Sequence, residues 1–166
     1  MSMKNVILIC GKICSGKSYY ARQLAAERKA RILSVDEEML KINPTGLFGD
    51  KHEEVAAEVK AQLLAQCVEL TKNGMQVILD WGYWKQQDRR DAEAFCETNG
   101  LPYEWHYVDV SDAQWRRNID KRNQAVLKGE EKGSFFVDDE LLEKLQRNFE
   151  TPDQSEMTGW FICKNG

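Results

Sequence analysis

Several things the sequence lacks narrow what it can do. It has no excess of positive charge: 23 lysines and arginines stand against 27 aspartates and glutamates, a formal net charge of −4. Long-range electrostatics therefore repel a polyanion, and a nucleic-acid partner would need a strong local basic patch. The charge balance argues against a nucleic-acid partner and for a small-molecule one. The cysteines Cys10, Cys14, Cys67, Cys96 and Cys163 are odd in number and never CxxC-spaced, which argues against a disulfide framework and a zinc site and for reduced thiols. The two histidines, His52 and His106, have no ligand-spaced partners and read as structural. Met1 to Lys4 lead straight into an apolar run without a charged leader, long apolar stretch or small-residue cleavage site, so a cytoplasmic protein with no membrane association is expected. There is no repeat, low-complexity tract or sign of a second domain. At 166 residues, 42% apolar and 30% charged, one globular domain over 1–166 is expected, and nothing speaks to oligomeric state.

What is present alternates between two periods. Asn5 to Cys10 is a continuous apolar, β-branched run, the pattern of a strand buried on both faces of a parallel sheet. Gly11-Lys12-Ile13-Cys14-Ser15-Gly16-Lys17-Ser18 follows, and Ser18 to Arg28 reads as a helix. Further strands are expected over Arg31–Val35, Met75–Leu79, Tyr103–Val110 and Trp160–Cys163. Helices are expected over Glu53–Lys72, Gln86–Thr98, Ser111 to about Arg122, and Asp139–Asn148. Pro44, Gly46 and Gly49 mark one loop, and Gly129 and Gly133 another, where a lid over about 123–137 would hang. The expectation is an α/β fold of the P-loop NTPase type: a three-layer sandwich with a five-stranded parallel sheet and helices on both faces. Its carboxyl edge would gather the glycine loop, Asp36, Asp80 and Asp109.

The loop fits GxxxxGK[ST] between strand and helix, the context in which backbone N–H groups and a helix N-terminus cradle phosphates. Gly11, Lys12, Ile13, Cys14, Ser15, Gly16, Lys17, Ser18 and Tyr19 are thus candidates to bind ATP. Lys17 would reach the β- and γ-phosphates, and Ser18 would ligate Mg²⁺. Asp80 ends an apolar strand where a Walker B carboxylate holds Mg²⁺, although an acceptor-touching carboxylate or a turn cap fits the same position. Asp36, at the end of the second strand, could orient an attacking hydroxyl; with Glu37 and Glu38 it could equally open a helix. Trp81, Tyr83 and Trp84 could stack on a flat or apolar acceptor, or pack in the core. Arg117 and Arg122 could fold over the triphosphate, or merely complement a helix end. Cys14, in a loop rich in N–H groups beside a lysine, is the thiol most exposed to oxidation chemistry.

On Ile9 to Ser18, Ser34 to Glu37, Val77 to Asp80, His106 to Val110 and Trp115 to Asn123, the chain resembles the small P-loop kinases of the zeta-toxin, polynucleotide-kinase and chloramphenicol-phosphotransferase group, and the bacterial ATP-binding proteins called AAA-type domains. The resemblance implies ATP as phosphate donor with Mg²⁺. It also implies an aspartate like Asp36 acting on the acceptor hydroxyl and lid arginines like Arg117 and Arg122. The expected activity is transfer of the γ-phosphate to a hydroxyl of a small molecule. The alternatives are a nucleotide or nucleic-acid 5′-hydroxyl acceptor, and an ATP-gated switch protein with weak ATPase activity.

Overall fold

The computed structural model describes residues 4–45, 48–130 and 136–165. Its central sheet is built from β1 (Val6–Cys10), β2 (Arg31–Leu33), β3 (Val77–Gly82), β4 (Tyr103–Val110) and β5 (Phe161–Asn165), in spatial order β2-β3-β1-β4-β5. Every neighbouring pair is parallel. The helices are α1 (Lys17–Arg28), α2 (Val35–Ile42), α3 (His52–Lys72), α4 (Gln86–Thr98), α5 (Asp112–Leu127) and α6 (Asp139–Asn148), with a short 3₁₀ turn at Gly49–Lys51. The expected α/β fold with helices on both faces is the one observed.

Strand alternation divides the core. Val6, Leu8, Cys10, Val77 and Leu79 point to one face and pack with Val59, Leu63 and Cys67 of α3 and Cys96 of α4. Ile7, Ile9, Ile78 and Val108 point to the other, against Ala21 and Leu24 of α1. All five residues of β1 are fully buried, which is why its sequence carries no polar alternation. A smaller cluster of Val110, Trp115, Ile119 and Val137 seats α5 beside the glycine loop.

Several boundaries differ from the sequence reading: β3 runs on to Gly82, so Asp80 lies within it rather than at its end, and β5 runs from Phe161 to Asn165; two further differences bear on the site. The second strand stops at Leu33, because the Ser34 side chain accepts a hydrogen bond from the Glu37 N–H and starts α2 with Asp36, Glu37 and Glu38 in its first turn. The acidic trio is a helix start favoured by the dipole, and Asp36 is not a strand-end residue. Helix α5 opens at the Ser111 cap as expected but continues to Leu127, so the first part of the expected lid is helical. Buried Asn123 donates to the Val137 carbonyl (2.8 Å) and accepts from the Val137 N–H (2.7 Å), tying the two ends of 123–137 together. Gly133, within 131–135, and Gly46 lie outside the described residues.

Candidate active site

The loop between β1 and α1 is held open from outside. Gly11 donates its N–H to the Gly82 carbonyl (3.0 Å), fastening the loop to the end of β3. A side chain at Gly11 would place Cβ 2.8 Å from the Ser15 hydroxyl oxygen and 3.0 Å from Cγ of Lys17, so glycine there is what lets the lysine lie back across the loop. Cys14 and Gly16 both take positive φ, 58° and 99°. Three successive carbonyls are then gripped by side-chain donors. The Trp115 indole N–H donates to Ile13 (2.6 Å), Asn118 to Cys14 (2.8 Å) and Asn165 to Ser15 (2.9 Å).

A planar trans peptide unit points its C=O and N–H in opposite directions. Pulling the Ile13 and Ser15 carbonyls outward therefore turns the N–H groups of Cys14 and Gly16 inward. Among the described residues neither has a protein partner, while the Ser15 N–H returns to the Lys12 carbonyl (3.1 Å). The first N–H groups of α1, on Lys17 and Ser18, are free as in any helix start. The result is a concave set of donors at the positive end of a helix, which suits phosphate oxygens.

Trp115, Asn118 and Asn165 were missed in the sequence. The first two are three residues apart on α5 and share a face with Arg122, whose guanidinium lies 3.3 Å from the Cys14 sulfur. That spacing was a usable signal; Asn165 had none, since only the pairing of β5 with β4 brings it near the loop. Lys12 sits over the Trp115 ring, 3.9 Å from its centroid, and reaches Asp112 at 4.0 Å.

A continuous cleft of about 1590 Å³ runs from this cradle across the carboxyl edge of the sheet. Ile13, Cys14, Gly16, Lys17, Ser18, Tyr19, Asp36, Asp80, Trp81, Tyr83, Trp84 and Arg122 all line it. Gly11 and Ser15 are buried behind the loop and Lys12 packs on Trp115, so these three act on the loop's shape. The Lys17 ammonium lies 3.4 Å from the Lys12 carbonyl. Burial pushes its pKa down, and the carboxylates of Asp80 and then Asp36 oppose that. Asp80 is pushed up to about 6, chiefly by burial, with Asp36 and Glu37 adding to the shift and Lys17 opposing it. At the loop, the Lys17 ammonium thus faces two carboxylates of unequal exposure, since Asp36 is exposed at the surface.

Other expected site residues fall elsewhere. Arg117 is exposed, bonded to Gln114 (2.9 Å), and does not line the cleft. Asp109 pairs with Lys164 at 3.5 Å and also lies outside the cleft lining. The three aromatics are unequal. Trp81 spends its indole N–H on the Leu33 carbonyl (2.9 Å). Tyr83 is 6% exposed, packs edge-on to Trp105 and belongs chiefly to the core. Trp84 is half-buried on the cleft wall. Buried Arg89, unremarked in the sequence, fixes this stretch by donating to the Tyr83 carbonyl (2.8 Å) while paired with Glu156.

The donor set fits a nucleotide with its magnesium ion. Gly11 and Gly16 let Lys17 and Asn165 close against the loop where a Cβ would clash, and the Ser18 hydroxyl and Asp80 carboxylate are hard oxygen donors on the same cleft. Among the described residues no group of three His, Cys, Asp or Glu could hold a metal ion. Mg²⁺ keeps several waters and leans on substrate phosphates, so a site for it needs few protein ligands. None of the described helices is long and apolar enough to cross a membrane.

A glycine loop between a buried parallel strand and a helix, with its lysine facing two carboxylates in one cleft, defines a P-loop protein of the kinase-like kind. The chain belongs to the AAA domain family, whose model matches residues 6–152. No curated protein matches it. Among solved structures it is similar to the Pnkp1/Rnl/Hen1 RNA repair complex, with TM-score 0.70, 21% identity, and coverage of 89% of this chain and 45% of that one. It is similar to Chaetomium thermophilum Kti12 bound to ADP-AlF3, with TM-score 0.67, 18% identity, and coverage of 96% and 87%. A gluconokinase from Sinorhizobium meliloti gives TM-score 0.61 and 14% identity over 99% and 84%. These likenesses establish the fold, and the family match establishes the resemblance read from the sequence.

Proposed function

We propose that the chain transfers the γ-phosphoryl group of ATP to a hydroxyl of a small molecule. The observation that carries the reading is the placement of Lys17, between the inward N–H groups of the loop and the carboxylates of Asp36 and Asp80 on one cleft. Cys14, Gly16, Lys17 and Ser18 would hold phosphate oxygens through their N–H groups, and the Lys17 ammonium would neutralise charge on the transferring group. Mg²⁺, held by Ser18 and Asp80, would supply further neutralisation of the phosphates. Asp36 would orient the acceptor. The acceptor oxygen forms a bond to the γ-phosphorus, the bridging P–O bond breaks, ADP leaves with the electron pair, and the hydroxyl proton passes to the Asp36 carboxylate. Arg122, on the cleft and beside Cys14, would reach the phosphates in this scheme, which gives exposed Arg117 no part.

Support comes from the kinases among the structural neighbours, while the likeness to an RNA repair complex keeps an oligonucleotide 5′-hydroxyl as the competing acceptor. The test is transfer from [γ-³²P]ATP with Mg²⁺ to a panel of sugars, nucleosides, simple alcohols and 5′-hydroxyl oligonucleotides. A labelled small organic phosphate supports the proposal. Label appearing only on the oligonucleotide would replace it with the competing acceptor, and release of inorganic phosphate alone would favour the switch protein.

A further inference from the structure

The half of the cleft beyond the two carboxylates has a consistent chemistry. From Asp36 and Asp80 outward it is lined by Met39 of α2, Leu64 of α3, Phe95 of α4, and Trp81, Tyr83 and Trp84. All six are buried or half-buried. The charged side chains on the same half, Lys60, Lys85, Asp88 and Asp91, are exposed at the rim. Two of them already have local partners: Asp88 accepts from the Lys85 backbone N–H and Asp91 from the Gln87 side chain.

The neutral polar side chains at this end of the cleft are few: Ser34, whose hydroxyl caps α2, exposed His52 and half-buried Asn148. Trp81 has committed its N–H to Leu33, leaving its ring face. The Tyr83 hydroxyl is buried without a hydrogen-bond partner. A sugar or sugar acid brings a polar group on almost every carbon, and each one desolvated without a partner weakens binding. A wall of ring faces and aliphatic side chains cannot repay that across a whole polyol, whereas a flat apolar body gains from every surface it covers.

Resting on the phosphotransferase reading above, we propose that the acceptor is an alcohol carried on a flat, apolar body of aromatic size. Its hydroxyl lies toward Asp36 and Asp80, and its rings lie between Trp84 and the Leu64 and Phe95 side of the cleft. Polyols such as hexoses and aldonic acids are excluded.

The probe is 2-naphthylmethanol, with D-gluconate as the polyol comparison. Binding is read by equilibrium dialysis in the presence of ADP and Mg²⁺, and transfer is read from [γ-³²P]ATP. Saturable binding of the naphthyl alcohol, weakened at least tenfold by Trp84→Ala and by Phe95→Ala with ADP affinity unchanged, supports the proposal. Phe95→Leu serves if the alanine variant fails to fold, and the retained ADP affinity reports an intact fold. If the naphthyl alcohol binds in this way but nothing is phosphorylated, the apolar site stands and the phosphotransferase reading falls. Should gluconate be phosphorylated while the naphthyl alcohol neither binds nor reacts, this proposal is overturned and the phosphotransferase reading stands. Absence of naphthyl binding, or binding untouched by both substitutions, also overturns it.

Discussion

Replacing Asp80 by asparagine separates what the cleft does for function from what it costs the fold. Asp80 is an acid whose folded pKa, about 6, lies above its ordinary value of 3.8 because burial disfavours the charged form. Below pH 4 it is protonated in both folded and unfolded chains. Between 4 and 6 the folded protein binds more protons than the unfolded one, so stability falls as pH rises, and above 6 the full cost is present. About two units at 1.36 kcal/mol each make roughly 3 kcal/mol. Asp80→Asn removes the ionisable group, so relative to wild type it should become more stable by up to about 3 kcal/mol on going from pH 4 to pH 7.5. In a domain of this size that is on the order of 6–12 °C in Tm. Lys17 loses a countercharge in the variant, which trims the gain, so the figure is an upper bound. Thermal unfolding of both proteins without nucleotide, at intervals across pH 4–8, reads the effect. Parallel curves across that range would refute the argument, and so would a widening gap below pH 4. The same substitution should abolish the extra stability conferred by Mg²⁺ over ATP alone.

Three further outcomes follow from particular contacts. Asn118→Ala leaves the Cys14 carbonyl without its donor and lets the loop relax, so ADP should bind about five- to tenfold more weakly by calorimetry, as loss of a hydrogen bond worth about 1 kcal/mol requires. Gly16→Ala forces a side chain into φ 99° with its Cβ 2.8 Å from the Asn165 amide nitrogen, which should cost about 1–3 kcal/mol in denaturant unfolding together with most nucleotide affinity. Arg89→Met strands the Glu156 carboxylate and the Tyr83 carbonyl, so a loss of about 3–5 kcal/mol is expected.

The cradle and most of the sheet could be read from the chain itself, because both are local. A run such as Val6 to Cys10, buried on both faces, leaves a continuous apolar string, and the glycine loop needs a fixed spacing for its backbone to curl. What escaped was set by tertiary contacts or by a local competition decided by one residue. Helix α2 went unassigned because the Ser34 cap had to be weighed against an extended continuation of β2. Arg89 resembled any solvated helical arginine, and only its burial beneath the Trp84 turn shows what it fixes. Tyr83 looked like a cleft aromatic because it sits between two tryptophans, yet the left-handed backbone at Gly82 and Tyr83 (φ 82° and 50°) turns its ring chiefly into the core against Trp105. Arg117 and Arg122 were equal candidates until the seating of α5 on Trp115 put one outside and the other on the cleft.

The most direct test of the central claim follows label from [γ-³²P]ATP with Mg²⁺ and the acceptor panel, comparing wild type with Lys17→Ala. The account expects wild type to form a labelled organic phosphate and Lys17→Ala to form none above background, while its unfolding still shows a single cooperative transition. Equal product from both proteins, or inorganic phosphate as the only labelled product of wild type, would contradict it.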